Sequence, residues 1–155
     1  MSIYTELLNH PISSIVIEPI TKTICTTPVN KALELMTKNK TSHLLVFENE
    51  NLIGIFTERD YLKRVFQQED NYDELITKYI TTSPITLSID QPVSQILEPM
   101  YTGQFRHVPV YADQNQFVGV LTTHNLFSFL AELLPDKLLN LPPKPHQTLL
   151  VEEGA

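Results

Sequence analysis

The chain has 155 residues, with 11 Lys+Arg against 18 Asp+Glu for a formal net charge of −7. Its length allows one ordinary domain or two small units sharing a core, and 42% apolar against 19% charged residues exclude a disordered chain. A pI near 5.1 excludes general affinity for nucleic acid, which needs clustered cations.

Cys25 is the only cysteine, so neither an intrachain disulfide nor a cysteine-rich zinc site can form. Residues 1–11 carry Glu6 and lack the basic start and long apolar core of a signal peptide. No apolar run approaches the roughly 20 residues that span a bilayer. The expectation is a soluble, cytoplasmic protein with no nucleic-acid or membrane partner.

After that N-terminal segment, Thr26 is placed to cap a helix with Pro28 in its first turn. Val29, Ala32, Leu33 and Met36 then recur at i, i+3, i+4 and i+7, the apolar stripe of a helix. His43–Phe47 and Leu52–Phe56 are short apolar runs joined by the polar Glu48-Asn49-Glu50-Asn51, which predicts two strands and a turn. A second helix is expected from Thr57 through Phe66, followed by the acidic linker Gln67–Asp73.

The same order then returns. Pro28-Val29 recurs as Pro92-Val93, and the same offset of 64 residues pairs Leu33 with Leu97, Met36 with Met100, His43 with His107 and Val46 with Val110. After a one-residue insertion Gly54 matches Gly119 and Thr57 matches Thr122. Strands are expected over Val108–Tyr111 and Phe117–Leu121, with a helix from Thr122. Pro99 removes a hydrogen bond from the helix carrying Val93, Ile96, Leu97 and Met100, and predicts a kinked or shortened helix there. The organisation is therefore an N-terminal segment (1–11), repeat one (12–66), a linker (67–75), repeat two (76–134) and a proline-containing tail (135–155). The fold class is α+β (α/β), with the order β-α-β-β-α read twice.

Leu52-Ile53-Gly54-Ile55-Phe56-Thr57-Glu58-Arg59-Asp60 and Phe117-Val118-Gly119-Val120-Leu121-Thr122-Thr123-His124-Asn125, preceded by His43-Leu44-Leu45-Val46 and His107-Val108-Pro109-Val110, resemble the cystathionine-beta-synthase-type (CBS) repeat. This repeat occurs as a tandem pair called a Bateman module. The resemblance covers about Ile12 to Leu130, and its ordered motifs are present twice. It implies two repeats about a pseudo-twofold axis, with two clefts that hold adenine nucleotides or related adenosyl compounds. It implies no catalytic activity. No Walker-type loop, His-Glu-x-x-His pair or nucleophile elbow is present, and the histidines are too dispersed to propose a zinc set.

On its own, Thr57-Glu58-Arg59-Asp60 reads as a capping box at a helix start. The resemblance adds that Thr57 contacts ribose or phosphate and that Asp60 accepts from both ribose hydroxyls. A carboxylate suits a cis-diol because its two oxygens accept two donors. The implied binding set is Ile55, Thr57, Arg59 and Asp60 of repeat one, facing Thr81, Pro84, Ile85, Phe105, Arg106 and His107. Arg106 and His107 are then the phosphate donors. In the second copy Asn125 replaces the acid, so the cleft of Thr122, Asn125, Ser42 and His43 is expected to be degenerate and weaker. Each basic residue also has a plainer explanation: a backbone-bonded strand-edge histidine for His107 and His43, a solvated charge for Arg106, an ion pair for Arg59.

The expected function is a stand-alone regulatory module binding AMP, ADP, ATP, S-adenosylmethionine or NADH and passing occupancy to a partner or to its own assembly. A ligand-free dimerisation or scaffold protein is the alternative. The stripes Tyr61, Leu62, Val65, Phe66 and Leu126, Phe127, Phe129, Leu130 predict a homodimer.

Overall fold

The structure, a computed structural model, describes residues 3–68, 71–113 and 116–138. The start of the chain forms α1 (Ile3–Asn9), and repeat one contributes β1 (Lys22–Ile24), α2 (Val29–Asn39), β2 (His43–Glu48), β3 (Asn51–Thr57) and α3 (Glu58–Asp60). A π-helical turn, Tyr61–Val65, continues α3. Repeat two contributes β4 (Thr81–Thr82), β5 (Leu87–Ser88), α4 (Ser94–Tyr101), β6 (His107–Asp113), β7 (Gln116–Thr122) and α5 (Thr123–Leu138).

Local sequence explains most of these elements. The β2–β3 hairpin turns at Asn49 and Glu50, both in the left-handed region (φ 47° and 67°), which suits the right-handed twist of a hairpin. Helix α4 has 8 residues against 11 in α2, the shortening expected from Pro99. Helix α2 departs from expectation at its start. It begins after Pro28 with no side-chain cap, and Thr26 does not cap it. Its first amides are instead satisfied by the linker, Val29 N donating to Glu74 O (2.9 Å) and Asn30 N to Tyr72 O (2.8 Å). Helix α5 also runs on through Pro135 to Leu138, so the expected tail begins later, and its remainder from Leu139 lies outside the described residues.

Strands β1-β2-β3-β4 form one sheet and β5-β6-β7 the other. The lead-in to each repeat crosses to the other repeat. Strand β4, in the lead-in of repeat two, pairs antiparallel with β3 at Ile55↔Thr81, and Glu18, in the lead-in of repeat one, bridges Val120 of β7. Pro11↔Pro92 and Pro28↔Leu75 are a second symmetry-related pair of bridges. The swap extends into the core: Ile12 and Ile15 pack with Val93, Ile96, Met100 and Leu121, while Ile76, Tyr79 and Ile80 pack with Val29, Met36, Phe56 and Val65. A third cluster, Leu45, Phe47, Ile55 and Val120, lies between the sheets. Among the described residues the hydrophobic interior is thus three clusters in place of one continuous core, because each sheet buries one face under its own helices and the other against its partner sheet.

Gly54 and Gly119 make the crossing possible. A Cβ on Gly54 would lie 2.6 Å from Ile80 Cδ1 and 2.8 Å from Thr81 O; on Gly119 it would lie 2.4 Å from Ile17 Cδ1 and 2.9 Å from Glu18 O. These two glycines set the lead-in backbones, and with them Thr81 and Glu18, against the sheets.

Candidate functional site

The crossing produces two clefts at the join between repeats. The first, about 510 Å³, is lined by Ile55, Thr57, Glu58, Arg59, Asp60, Lys63 and Arg64 from repeat one, by Thr81 and Pro84 from the second lead-in, and by Gln104, Phe105, Arg106 and His107 from repeat two, with Ser42 at its edge. Nine of the ten residues expected there meet in it. Ile85 is the exception: it does not line the cleft and is exposed on the lead-in beyond Pro84.

Asp60 is buried and closes a capping box at the start of α3. The Thr57 amide (2.9 Å) and hydroxyl (2.8 Å) both donate to Asp60 Oδ2, and the Asp60 amide donates to Thr57 Oγ1 (3.3 Å). Its other oxygen, Oδ1, lies 3.9 Å from Arg64 Nε, and Arg64 in turn donates to the carbonyls of Tyr79 (3.2 Å) and Ile80 (3.3 Å). The plain capping reading of Thr57-Glu58-Arg59-Asp60 is therefore true of the molecule. It is compatible with binding, since Oδ1 keeps acceptor capacity.

Chemically, the cleft joins an apolar wall (Ile55, Pro84, Phe105), a fixed carboxylate and the cations Arg59, Lys63, Arg64 and Arg106 against Glu58 and Asp60. That combination suits a ligand with a flat apolar part, a diol and a negative group.

The second cleft, about 660 Å³, is lined by Glu18, Leu33, Met36, Thr37, Lys40, Thr41, Ser42, His43, Thr122, Thr123 and His124, with Glu58, Arg106 and His107 on the shared wall. Ser42, Glu58, Arg106 and His107 border both clefts, so Arg106 and His107 are not exclusive to the first. Ser42, His43 and Thr122 line this cleft as expected; Asn125 does not. Asn125 repeats the cap, its Oδ1 accepting from the Thr122 amide (2.9 Å) and hydroxyl (2.6 Å), and its Nδ2 donates to Glu18 Oε1 (3.0 Å).

Between the clefts, His43 and His107 stack at a tilt with ring centroids 5.3 Å apart. Burial, with His43 and Arg106 nearby, pushes the His107 pKa down to about 4, so this ring is neutral at pH 7 and donates no charge to a phosphate. Burial also lowers the pKa of His43, whose Nε2 has no hydrogen-bond partner among the described residues. Among those residues no group of three or more His, Cys, Asp or Glu is placed to hold a metal ion.

This architecture can be set against known proteins. The family model described as CBS domain matches residues 7–67 and 76–132. The chain belongs to the CBS domain family. Its two CBS repeats form a Bateman module of mixed α/β structure. The CBS domain protein PAE2072 from Pyrobaculum aerophilum, solved in complex with AMP, is 25% identical with a TM-score of 0.68, over 80% of this chain and 98% of that one. The CBS domain pair of protein MJ0100, solved with 5′-methylthioadenosine and S-adenosyl-L-methionine, is 22% identical with a TM-score of 0.69, over 79% and 97%, a likeness of fold. In sequence, an uncharacterized protein of Methanopyrus kandleri is 31% identical over 104 residues, 64% of this chain and 53% of that protein, so the CBS pair spans about half the length of that relative. No helix among the described residues is long and apolar enough to cross a membrane.

Sequence reasoning missed Glu18, Lys63, Arg64 and Gln104 at the CBS clefts. Arg64 was findable, since it sits four residues after Asp60 on one helical face. Glu18 had no such signal: the 64-residue offset matches it to Thr82, and only the pairings with Val120 and Ile55 set it at the register of Thr81.

Proposed function

We propose that this CBS pair binds an adenosyl compound (AMP, ADP, ATP, S-adenosylmethionine or NADH) in the Asp60 cleft and reports occupancy to a partner or to its own assembly, without catalysing a reaction. The observation carrying this reading is the convergence, from both repeats, of an apolar wall, a buried carboxylate and four Lys/Arg side chains on one cleft. The AMP complex of the Pyrobaculum relative supports it. A ligand contacting both repeats favours one relative orientation of them, the basis of a two-state signal. Melting the protein with each compound in turn tests the reading: a ligand at 100-fold above its dissociation constant adds about 2.7 kcal/mol of apparent stability. No shift with any of the five favours the scaffold reading, in which the Asp60 carboxylate serves only the Thr57 cap and Arg64.

The same reading includes a homodimer. Much of the apolar stripe on the last helix of each repeat is internal, with Val65 and Leu126 buried, yet Leu62, Phe66 and Phe127 remain exposed. Leu62 and Phe127 are matched positions, so a dimer closing over both faces covers symmetric patches. Sedimentation of the wild type as a dimer and of Leu62→Glu/Phe127→Glu as a monomer is the expected outcome; a monomeric wild type overturns it.

A further inference from the structure

We infer that Glu18 of the first lead-in supplies, to a ribose in the second cleft, the diol-accepting carboxylate that Asp60 supplies in the first. This inference rests on the adenosyl reading above.

The two clefts carry the same pair of positions with their chemistry exchanged. In the first, the helix-start position holds an acid, Asp60, and the lead-in position paired with Ile55 holds Thr81. In the second, the helix-start position holds an amide, Asn125, and the lead-in position paired with Val120 holds Glu18. Ile55 and Val120 are matched residues of the repeats, so Glu18 and Thr81 stand at one register on opposite sides of the pseudo-twofold. The Glu18 backbone is fixed there by reciprocal bonds with Val120, both 2.9 Å.

Asn125 then acts as a positioning residue. Its oxygen is spent on the Thr122 cap, and its amide holds Glu18 Oε1 at 3.0 Å. This leaves Glu18 with acceptor capacity at the wall of the cleft it lines. The loss of the acid at Asn125 is thus not decay of the cleft: one carboxylate is retained, delivered from the other repeat. The charges also differ. The second cleft balances Lys40 and Arg106 against Glu18 and Glu58, whereas the first has an excess of cations. An uncharged or zwitterionic ribonucleoside suits the second cleft better than a polyphosphate does.

Titration calorimetry with adenosine and 2′-deoxyadenosine on the full chain tests this. Wild type is expected to bind two equivalents of adenosine and to bind 2′-deoxyadenosine more weakly at both. With the first cleft weakened by Asp60→Asn, so that the second is the tighter site, adding Glu18→Gln should weaken that tighter adenosine site roughly tenfold to more than a hundredfold, the usual worth of a hydrogen bond to a charged group. Glu18→Thr in that background should do the same, and Glu18→Thr with Asn125→Asp, which rebuilds the first cleft's arrangement in the second, should restore binding; equal melting temperatures across the set show that folding is not the cause. A tighter site indifferent to Glu18→Gln, or a single equivalent in wild type lost entirely with Asp60→Asn, overturns the inference and leaves the adenosyl reading standing. Wild type that binds none of the adenosyl compounds overturns both.

Discussion

Ser42 Oγ lies 3.2 Å from His107 Nε2, tying the start of β2 to the start of β6 on the wall shared by the two clefts. The histidine so held is neutral, because burial, reinforced by His43 and Arg106 and opposed by Glu18, lowers its pKa to about 4. An unfolded histidine titrates near 6.5. As pH falls through 6.5 the unfolded chain takes up the proton first, so stability is full above that value, declines toward pH 4 and levels off once the folded ring also titrates. A depression of that size corresponds to roughly 3 kcal/mol. Urea melts at pH 7.5 and pH 4.5 should show a larger loss for wild type than for His107→Gln, which keeps a polar partner for Ser42. Equal losses would assign the acid lability to other groups.

Replacing Asp60 separates its cap from its charge. Asn125 makes the same cap in the second repeat, with the Thr122 amide at 2.9 Å from its oxygen. Asp60→Asn should therefore leave the melting temperature near that of wild type, while Asp60→Ala, which deletes the N3 half of the capping box, should cost about 1 kcal/mol, the usual net worth of a hydrogen bond. Both should weaken adenosine in the first cleft by roughly tenfold or more. Calorimetry showing full affinity in Asp60→Asn would remove the carboxylate from the site.

The hairpins, the helix faces and the repeat itself were legible in the sequence because their signals are local: the short apolar runs His43–Phe47 and Leu52–Phe56 about a polar turn, the i, i+3, i+4, i+7 stripe from Val29, and matched Gly54 and Gly119. Most of the first cleft followed from the motif residues and their facing segment. What was not legible depends on long-range pairing. The crossing of lead-ins rests on a two-residue pairing at Thr81–Thr82 and a single bridge of Glu18 with Val120, too short to carry a periodic pattern. Hence Glu18 received no role, and the second cleft read as degenerate because Asn125 replaces the acid. The capping of α2 by Tyr72 and Glu74 carbonyls was equally silent, since backbone donors and acceptors leave no trace in side-chain identity. An Asp at position 125 would now meet Glu18 as a like charge, so Asn125→Asp alone is expected to loosen the second cleft instead of restoring it.

The glycines at the crossing give a structural test that spares the chemistry. In Gly119→Ala the new methyl meets Ile17 at 2.4 Å and the Glu18 carbonyl at 2.9 Å, so the lead-in must move away from β7. Overpacking of this kind typically costs about 1–3 kcal/mol. Because the displaced backbone carries Glu18, the effect on ligands should fall on the second cleft, while Gly54→Ala, pressing on Ile80 and Thr81, should fall on the first. Melting curves with site-resolved calorimetry check both; a glycine variant of unchanged stability would show that the lead-ins yield easily.

Arg106 borders both clefts, and its carbonyl is anchored by the Thr123 amide at 3.0 Å, so its backbone position is fixed while its guanidinium is exposed. On the proposed adenosyl reading, a cation placed there serves phosphate in preference to base or ribose. Arg106→Ala should therefore weaken AMP and ATP by roughly tenfold, the scale of one charge-assisted hydrogen bond, and change adenosine affinity little. Exposure makes that contact sensitive to ions: at about 1 M salt the screening length shrinks to roughly 3 Å, and the gap between wild type and variant should narrow. His107 cannot substitute for the lost charge at pH 7, since its ring is neutral there. The shared position adds a second consequence. Two phosphate-bearing ligands compete for one guanidinium, so filling the first cleft with ATP should weaken a second ATP and leave adenosine binding in the other cleft nearly unchanged. Sequential titration of ATP followed by adenosine measures this directly, and equal, independent affinities for two ATP molecules would show that Arg106 serves only one cleft.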